Sequence, residues 1–171
     1  AHESGTDWRP NFATRPITDA DIETLAGIWS KPEGTFKGYL AEQIIGERVT
    51  LLAEVGGDHV GYVTLHWRSK YEPFRENGIP EIMDLNVLEP WRRRGIGTQL
   101  LDEVERQAAR RSAVVGLGVG MDADYGPAQR MYVRRGYVPD ARGITWRGQH
   151  LVYGEQATVD DELVLFMTKE L

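Results

Sequence analysis

The chain has 171 residues, of which 41% are hydrophobic and 27% charged, with a formal net charge of -6 at pH 7 and no cysteine. This composition is typical of a globular protein, and the lack of cysteine excludes disulfides, thiolate chemistry and cysteine metal sites. No apolar run reaches the roughly 18 to 20 residues of a membrane-spanning helix, and the acidic balance argues against nucleic-acid binding, so we expect a cytoplasmic protein without membrane or nucleic-acid partners.

The first half of the chain is predicted to begin with a strand, two helices and a hairpin. We expect one domain over residues 1–171. Residues 1–10 lack the features of a signal peptide. They are expected to be flexible or derived from cloning. Asp19 is predicted to cap the first helix, and Gly56-Gly57-Asp58 to form a tight hairpin turn. The predicted elements are a strand at 12–16, helices carrying Ile22 to Trp29 and Phe36 to Ile45, and strands at 49–55 and 60–67.

The second half is predicted to alternate strands and helices after a polar loop at 68–80. An amphipathic helix at 95–111 follows a strand at 81–88. Another helix opens at Gly126-Pro127 and ends at Gly136. The remaining strands are predicted at 113–119, from residue 137, and at 163–168. This order predicts an α/β or α+β domain with a mixed sheet.

The segment from Val87 to Thr98 carries the strongest local signal of ligand binding. An apolar strand runs into a turn that contains Gly95 and Gly97, and the turn opens directly into the amphipathic helix. The first N–H groups of a helix lack intrahelical partners and point outward at the positive end of the helix dipole, so they can bind an anion. Three consecutive arginines, Arg92 to Arg94, add positive charge. From the turn alone, diphosphate binding and a purely structural role of the glycines both remain open.

Two motifs in this part of the chain resemble the signatures of the GNAT acyltransferases. The spacing Arg92-x-x-Gly95-x-Gly97 is similar to the family's Q/R-x-x-G-x-G/A motif and follows an apolar strand, as in the family. The block from Ala128 to Tyr137 resembles the family's N-x-x-A-x-x-x-Y-x-x-x-G-F/Y element, although Tyr125 stands where the family often has Asn. The resemblance implies a mixed, mostly antiparallel central sheet flanked by helices, with strands splayed at the cofactor site.

The resemblance also implies that acetyl-CoA is the cosubstrate and where it would bind. Backbone groups of Leu85 and Val87 would pair with the pantetheine amides, and the N–H groups of Arg93 to Thr98 would hold the pyrophosphate. The residues assigned to cofactor binding are Leu85, Val87, Arg92, Arg93, Arg94, Gly95, Ile96, Gly97, Thr98, Tyr125 and Ala128.

Acyl transfer from a thioester to an amine needs a neutral amine, a stabilised oxyanion and a proton for the leaving thiolate. The match to the second motif places the hydroxyl of Tyr132 near the CoA sulfur, which predicts Tyr132 as the general acid. Glu81 is the preferred base, with Asp84 or a chain of waters that Asn86 could orient as alternatives. The N–H of Val87 is the expected oxyanion donor.

The acceptor pocket is expected in the less regular segments, and the sequence does not choose among them. Candidates are residues 29–39, the loop around Tyr71 and Phe74, and residues 145–153, in which Trp146, His150 and Tyr153 could equally be packing residues or a dimer contact. Carboxylates that could attract a cationic acceptor are Glu33, Glu42, Glu72 and Asp122.

The four histidines show no metal-ligand spacing, since His59 and His66 are predicted to lie on opposite faces of a strand, and we expect no metal. The leading prediction is an N-acetyltransferase that acts on a primary amine of a small molecule. The alternatives are a protein or peptide N-acetyltransferase and a non-catalytic sensor of acyl-CoA. Members of the family often form dimers, so a homodimer is a further expectation.

Overall fold

The computed structural model describes residues 7–171, so the expectation for residues 1–6 lies outside the described part of the chain. Close to the start of this range, Trp8 is 7% exposed and its ring packs edge-on against that of Phe12, with centroids 5.2 Å apart. None of the helices within residues 7–171 combines the length and the apolar character that crossing a bilayer requires.

Strands and helices follow the predicted order, with one extra helix and one extra strand. The strands are β1 (Phe12–Pro16), β2 (Arg48–Val55), β3 (Asp58–His66), β4 (Glu81–Val87), β5 (Val114–Gly120), β6 (Val138–Trp146), β7 (Gln149–His150) and β8 (Leu163–Glu170). The helices are α1 (Ile22–Ile28), α2 (Thr35–Ile44), α3 (Glu72–Glu76), α4 (Ile96–Ala109) and α5 (Gly126–Arg134). The strands form a mixed, mostly antiparallel sheet flanked by helices, which confirms the predicted fold class.

Residues 7–171 form two compact units. The first contains the described residues up to Leu65 together with Asp84–Arg106, and the second contains His66–Met83 and Gln107–Leu171. Strand β4 therefore contributes its first three residues to the second unit and its last four to the first. A single domain over the whole chain stays a prediction.

In the first unit, β1, β2 and β3 pair in sequence order beside α1 and α2. β1 runs antiparallel to β2 over its full length. The β2–β3 hairpin closes through Gly56 and Gly57, whose φ angles of 58° and 88° are left-handed, as a two-residue hairpin turn requires. Helical spacing on α1 and α2 and alternation on the strands turn apolar side chains toward one core. Its buried members are Ile17, Leu25, Phe36, Leu52 and Tyr62.

In the second unit, the strands are ordered β4-β5-β8-β6-β7. β5 pairs in parallel with the start of β4, where Glu81 lies opposite Gly116. On its other side β5 runs antiparallel to β8 along its whole length. β6 pairs with β8 as well, with a shift of register between Pro139 and Ile144, and β7 pairs with β6.

Glycines at alternate positions of β5 make room for aromatic rings. These positions are Gly116, Gly118 and Gly120. A Cβ atom at Gly116 would lie 2.3 Å from Cε2 of Phe74, so no larger residue fits there without a shift of that ring. Phe74 is 1% exposed, and its neighbour Tyr71 stacks on Phe166 with ring centroids 3.6 Å apart. These rings hold the segment before β4 against the sheet of the second unit.

The prediction that residues 68–80 form a loop throughout was wrong, because they contain the short helix α3. Pro73 stands in the first turn of this helix, where its missing N–H costs no intrahelical bond. The buried ring of Phe74 anchors the helix to the unit. Five residues are too few for helical periodicity to be visible in the sequence.

Two further local predictions are corrected. Thr18, rather than Asp19, precedes the first helical turn; its N–H donates to Oδ2 of Asp21 at 2.8 Å and its hydroxyl to the same oxygen at 3.1 Å. The extra strand β7 arises because Arg147 and Gly148 both adopt positive φ, of 51° and 76°, and close a hairpin with β6. An arginine in such a turn carries little sequence signal.

Candidate active site

The turn between β4 and α4 lies in the first unit and has an unusual backbone. After β4, Leu88 donates its N–H to the carbonyl of Val60 at 2.9 Å, which fixes the chain to β3. Arg93 and Gly95 then adopt positive φ angles of 61° and 93° before α4 begins at Ile96. The left-handed conformation at residue 95 suits glycine and directs the chain sharply into the helix.

Gly97 lies in the first turn of α4, and the protein's own packing does not require a glycine there. A Cβ atom at this position would have Cγ2 of Val87 as its nearest neighbour, at 3.9 Å, which is an ordinary van der Waals distance. A glycine is needed, however, if an external group must approach the backbone N–H groups closely. This observation favours a binding role of the turn over a purely structural one.

The three arginines of the turn are exposed, and two of them have defined neighbours. Arg92 donates its Nε–H to the carbonyl of Val87 at 2.9 Å, which ties the arginine run to the end of β4. The guanidinium of Arg94 lies over the ring of Trp91, 5.0 Å from its centroid. The turn therefore presents a concentrated positive charge on a protein whose net charge is negative.

Helix α4 is held in place by its apolar face, so its N-terminus is a fixed feature. The buried side chains of this face are Ile96, Leu100, Leu101, Val104 and Ala108, each at most 1% exposed. Thr98 is exposed beside them, and Leu85 and Val87 of β4 are half-buried. The structure thus places the predicted pyrophosphate and pantetheine residues on consecutive elements of one unit.

The second group of predicted residues belongs to the second unit. Tyr132 on α5 is 9% exposed, and its ring packs edge-on against that of Tyr137 with centroids 5.8 Å apart. Burial raises the pKa of the Tyr132 hydroxyl, so it keeps its proton at neutral pH. Ala128 is half-buried on the same helix. A protonated hydroxyl is the form that a general acid needs.

Tyr125 precedes α5 and has contacts of its own within the second unit. Its hydroxyl donates to Oδ1 of Asp161 at 2.9 Å, and this hydrogen bond together with burial raises its pKa. Its ring covers Gly120, since a Cβ atom there would lie 2.3 Å from Cδ2 of Tyr125. The assignment of Tyr125 to cofactor binding stays a prediction.

Glu81, the preferred base, lies in the second unit and is 8% exposed. Its Oε1 accepts a hydrogen bond from the hydroxyl of Ser69 at 2.5 Å. That hydroxyl also accepts the N–H of Tyr71 at 3.0 Å, so the carboxylate is linked to the loop before α3. Ser69 was not singled out in the sequence, where a lone serine in a polar loop carries no signal.

Asp84, the alternative base, lies in the first unit and has a left-handed backbone with φ of 53°. Among the described residues, four donors reach its carboxylate. Oδ1 accepts from Lys31 Nζ at 2.6 Å and Asn86 Nδ2 at 2.8 Å. Oδ2 accepts from the hydroxyls of Tyr39 at 2.8 Å and Tyr62 at 2.9 Å. Lys31, Tyr39 and Tyr62 come from distant parts of the chain, so sequence reasoning missed this cluster.

Tyr71 and His150, two of the predicted acceptor-pocket residues, meet in the second unit. The hydroxyl of Tyr71 donates to Oδ2 of Asp140 at 2.5 Å and therefore accepts from Nε2 of His150 at 2.9 Å. Burial, followed by the hydrogen bond to Asp140, raises the pKa of Tyr71. Tyr71 and His150 border a cavity of about 520 Å³ that Glu72 also lines.

Phe74, Trp146 and Tyr153 are not among the residues that line this cavity. Phe74 is part of the buried core of the second unit. Trp146 donates its indole N–H to Oδ1 of Asp160 at 3.1 Å. Tyr153 is fully exposed. Phe74 is therefore a packing residue, while the roles of Trp146 and Tyr153 stay predictions.

One group of side chains in the first unit has the composition of a metal site. Potential ligand atoms of Asp21, Glu54 and His59 lie within 4.8 Å of one another. Arg15, however, donates to both oxygens of Asp21 at 2.7 Å and to Oε1 of Glu54 at 2.8 Å. A guanidinium therefore already pairs with both carboxylates of this group.

A comparison with curated proteins gives no significant match. The most informative solved structures have TM-scores of 0.66 to 0.67. A ribosomal-protein-alanine N-acetyltransferase from Brucella melitensis is 23% identical and aligns over 93% of this chain and 99% of that chain, with a TM-score of 0.67.

Two further structures carry ligands related to coenzyme A. Arabidopsis thaliana Naa50, in complex with the bisubstrate analogue CoA-Ac-MVNAL, is 18% identical over 94% of this chain and 99% of that chain, with a TM-score of 0.66. The putative acetyltransferase yncA from Salmonella typhimurium, with its cofactor acetyl-CoA, is 18% identical over 94% of both chains, with a TM-score of 0.66. These similarities show the fold.

The family itself is shown by the sequence. The model of the acetyltransferase (GNAT) family matches residues 16–137, which include β4, the arginine and glycine turn, α4 and α5. The match covers well over half of the chain, and the chain therefore belongs to the GNAT acetyltransferase family.

Proposed function

We propose that this chain is an acetyl-CoA-dependent N-acetyltransferase that transfers an acetyl group to a primary amine of a small molecule by direct attack, with residues 1–171 acting as one catalytic domain. The observation that carries the proposal is the turn at the start of α4. It combines the N–H groups of a helix N-terminus, a glycine at position 97 that internal packing does not require, and three exposed arginines.

Acetyl-CoA is the cosubstrate of acetyltransferases of this family, and the turn suits its diphosphate. The N–H groups from Arg93 to Thr98 would hold the pyrophosphate, and Arg92 to Arg94 would lie near the phosphates of the adenosine. Leu85 and Val87 would offer backbone partners to the pantetheine amides. Tyr125 and Ala128 are proposed to line the cofactor site as well.

The proposed reaction needs no covalent enzyme intermediate. The neutral nitrogen of the acceptor attacks the thioester carbonyl, the N–H of Val87 stabilises the oxyanion, and the C–S bond breaks. The thiolate takes its proton from Tyr132, whose raised pKa keeps the hydroxyl protonated until that moment. Glu81 is proposed to take the proton that the amine loses, with Asp84 or a water chain as the alternative.

The substitution Tyr132→Phe tests this proposal. We expect kcat for thiol release from acetyl-CoA to fall about 100-fold or more, because proton transfer to the leaving group contributes on the order of 100-fold to 10,000-fold. The affinity for acetyl-CoA should stay within about threefold, since the phenyl ring keeps the packing. A panel of small amines, amino sugars and peptides identifies the acceptor class in the same assay.

Tyr137→Phe is the matched control, since it removes a hydroxyl from the ring that packs on Tyr132. It should leave kcat near the wild-type value. Undiminished turnover of the Tyr132→Phe variant would refute the acid role, and failure of the wild type to bind acetyl-CoA would refute the enzymatic function as a whole.

A further inference from the structure

The carboxylate of Asp84 lies in the first unit in surroundings that favour the binding of a cation. Its side chain is 15% exposed, and the left-handed backbone that presents it is uncommon for a residue other than glycine. Burial and the Asp84 charge raise the pKa of Tyr39 and of Tyr62, so both hydroxyls remain donors at neutral pH. The carboxylate is thus fixed in position by two tyrosines and Asn86, while its fourth partner is an ammonium group.

Further aromatic rings pack against the two tyrosines whose hydroxyls donate to this carboxylate. The ring of Trp29 meets that of Tyr62 edge-on at 4.9 Å between centroids. Phe36 packs in the same manner against Tyr62 at 5.3 Å and against Tyr39 at 6.0 Å. The carboxylate therefore lies beside the apolar core of the first unit, where its charge is less screened than in water and attracts a cation more strongly.

The ammonium in this place belongs to Lys31, on the connection between α1 and α2. Its Nζ lies 2.6 Å from Oδ1 of Asp84, and its side chain is 29% exposed, so water reaches it. A cavity of about 570 Å³ borders the same connection, within the usual range for a small-molecule site. Its lining includes Trp29, Lys31 and Phe36, and the carboxylates of Asp19, Glu23 and Glu33.

We propose that Asp84, held in position by Tyr39, Tyr62 and Asn86, binds an ammonium group of the acceptor, and that Lys31 occupies this place in the free protein. The exchange replaces one ammonium with another, so the half-buried carboxylate is never left unpaired, which would be costly. The Lys31 side chain is partly exposed, so its ammonium group can turn into solvent. This inference rests on the proposed function and names the class of its acceptor.

The chemistry of the reaction also limits which amines can be the acceptor. A protonated amine has no lone pair, so the group held by Asp84 cannot be the nitrogen that attacks the thioester. An acceptor with two amino groups meets both demands, because one stays charged on Asp84 while the other, deprotonated, attacks. The acceptor is therefore a small diamine or polyamine.

Calorimetric titration in the presence of CoA tests the inference, with butane-1,4-diamine and butylamine as probes. We expect the wild type to bind the diamine more tightly than butylamine by about tenfold, the worth of a second charge-assisted contact. Asp84→Asn should weaken diamine binding about tenfold and remove the difference between the probes. Lys31→Met should strengthen diamine binding about threefold or more, since the internal competitor is gone.

Matched controls separate the site from general charge effects. Asp58→Asn and Lys70→Met change an exposed carboxylate and an exposed ammonium group outside this cavity and should leave the affinity within about twofold. Asn tolerates the left-handed backbone at position 84, and thermal unfolding verifies that the variant is folded. If the Asp84→Asn variant is not folded, the diamine affinity of the Lys31→Met variant tests the inference independently.

Equal affinity of the wild type for both probes would overturn the inference, as would unchanged diamine binding in both the Asp84 and the Lys31 variants. The inference would also be overturned if neither the wild type nor the Lys31→Met variant bound either probe. Acetyl-CoA affinity is measured in a separate titration. A wild type that does not bind acetyl-CoA would contradict the proposed function. The diamine titrations, repeated without CoA, would then still test the role of Asp84.

Discussion

At the scale of single residues, Arg15 and Asp21 form an ion pair with two hydrogen bonds in the first unit. The guanidinium donates to both carboxylate oxygens of Asp21, whose side chain is 6% exposed. The Arg15 hydrogen bond holds the pKa of the Asp21 carboxyl well below its usual range, although burial opposes this effect. The pair fixes the turn before α1 to β1 and, through Glu54, to β2.

Asp21→Asn should lower the free energy of unfolding at pH 7 by about 2 kcal/mol, the typical worth of a hydrogen bond to a charged group. Because the pKa of Asp21 is lower in the folded than in the unfolded chain, the contribution is present above the unfolded value of about 3.9. It is lost as the pH falls through the folded value. Urea unfolding from pH 7 down to pH 3 should therefore show the difference from wild type shrinking below about pH 4.

Asp7→Asn serves as the control for this experiment. Asp7 pairs with Arg9, but both side chains are at least 60% exposed. Exposed pairs contribute little, so this variant should stay within about 0.5 kcal/mol of wild type. A loss in Asp21→Asn no larger than this, or a difference that does not change with pH, would contradict the role assigned to the pair.

The residue scale is also where the sequence was least informative. The family resemblance identified Tyr132 and the turn from Arg92 to Gly97, because their spacing along the chain is fixed. The partners of Asp84 have no such spacing: Lys31, Tyr39 and Tyr62 lie on three different elements. A tyrosine on a mostly buried helix face or strand is expected to be a packing residue, and only the folded chain shows where its hydroxyl points.

At the scale of elements, the packing of β5 against neighbouring aromatic rings depends on its glycines. A Cβ atom at Gly116 would lie within 2.4 Å of two ring atoms of Phe74, which is itself held by Tyr71 and Phe166. Gly116→Ala should therefore destabilise the protein by about 1–3 kcal/mol through overpacking, measured by urea unfolding. Gly27→Ala in α1, where the added methyl group meets open space, should be neutral or stabilising by up to about 1 kcal/mol.

A double-mutant cycle shows whether the ring of Phe74 is the cause. Phe74→Leu makes room and should cost less in the Gly116→Ala background than in the wild type. Additive effects of the two substitutions, or a neutral Gly116→Ala, would show that the strand accommodates the methyl group in another way.

Elements with strong periodicity were predictable, and short ones were not. Helix α4 shows apolar residues at helical spacing from Ile96 to Ala108, and all of them are buried as predicted. Helix α3 is five residues long and the turn at Arg147-Gly148 lacks the usual turn residues, so neither could be seen in the sequence. Both are set by tertiary contacts, such as the burial of Phe74.

At the scale of the whole molecule, the sequence predicted the fold class but not the strand order. Two motifs with fixed spacing pointed to the family, and the family determines the fold. That β8 lies between β5 and β6 could not be read from the chain, because residues 163–170 pair with strands that precede them by many residues. Such long-range pairing leaves no local pattern.

The proposed function requires that the turn before α4 binds the diphosphate of acetyl-CoA. Gly97→Glu tests it, because a carboxylate in the first helical turn stabilises the helix but repels a polyanion. Gln99→Glu is its control, since it adds the same charge to an exposed residue on another side of that turn. Both variants should therefore remain folded.

Isothermal titration of acetyl-CoA into the wild type and these two variants is the most direct measurement. We expect the wild type to bind, Gly97→Glu to bind more weakly by on the order of tenfold or more, and Gln99→Glu to stay within about threefold of wild type. A wild type without affinity for acetyl-CoA, or a Gly97→Glu variant that binds as the wild type does, would contradict the account.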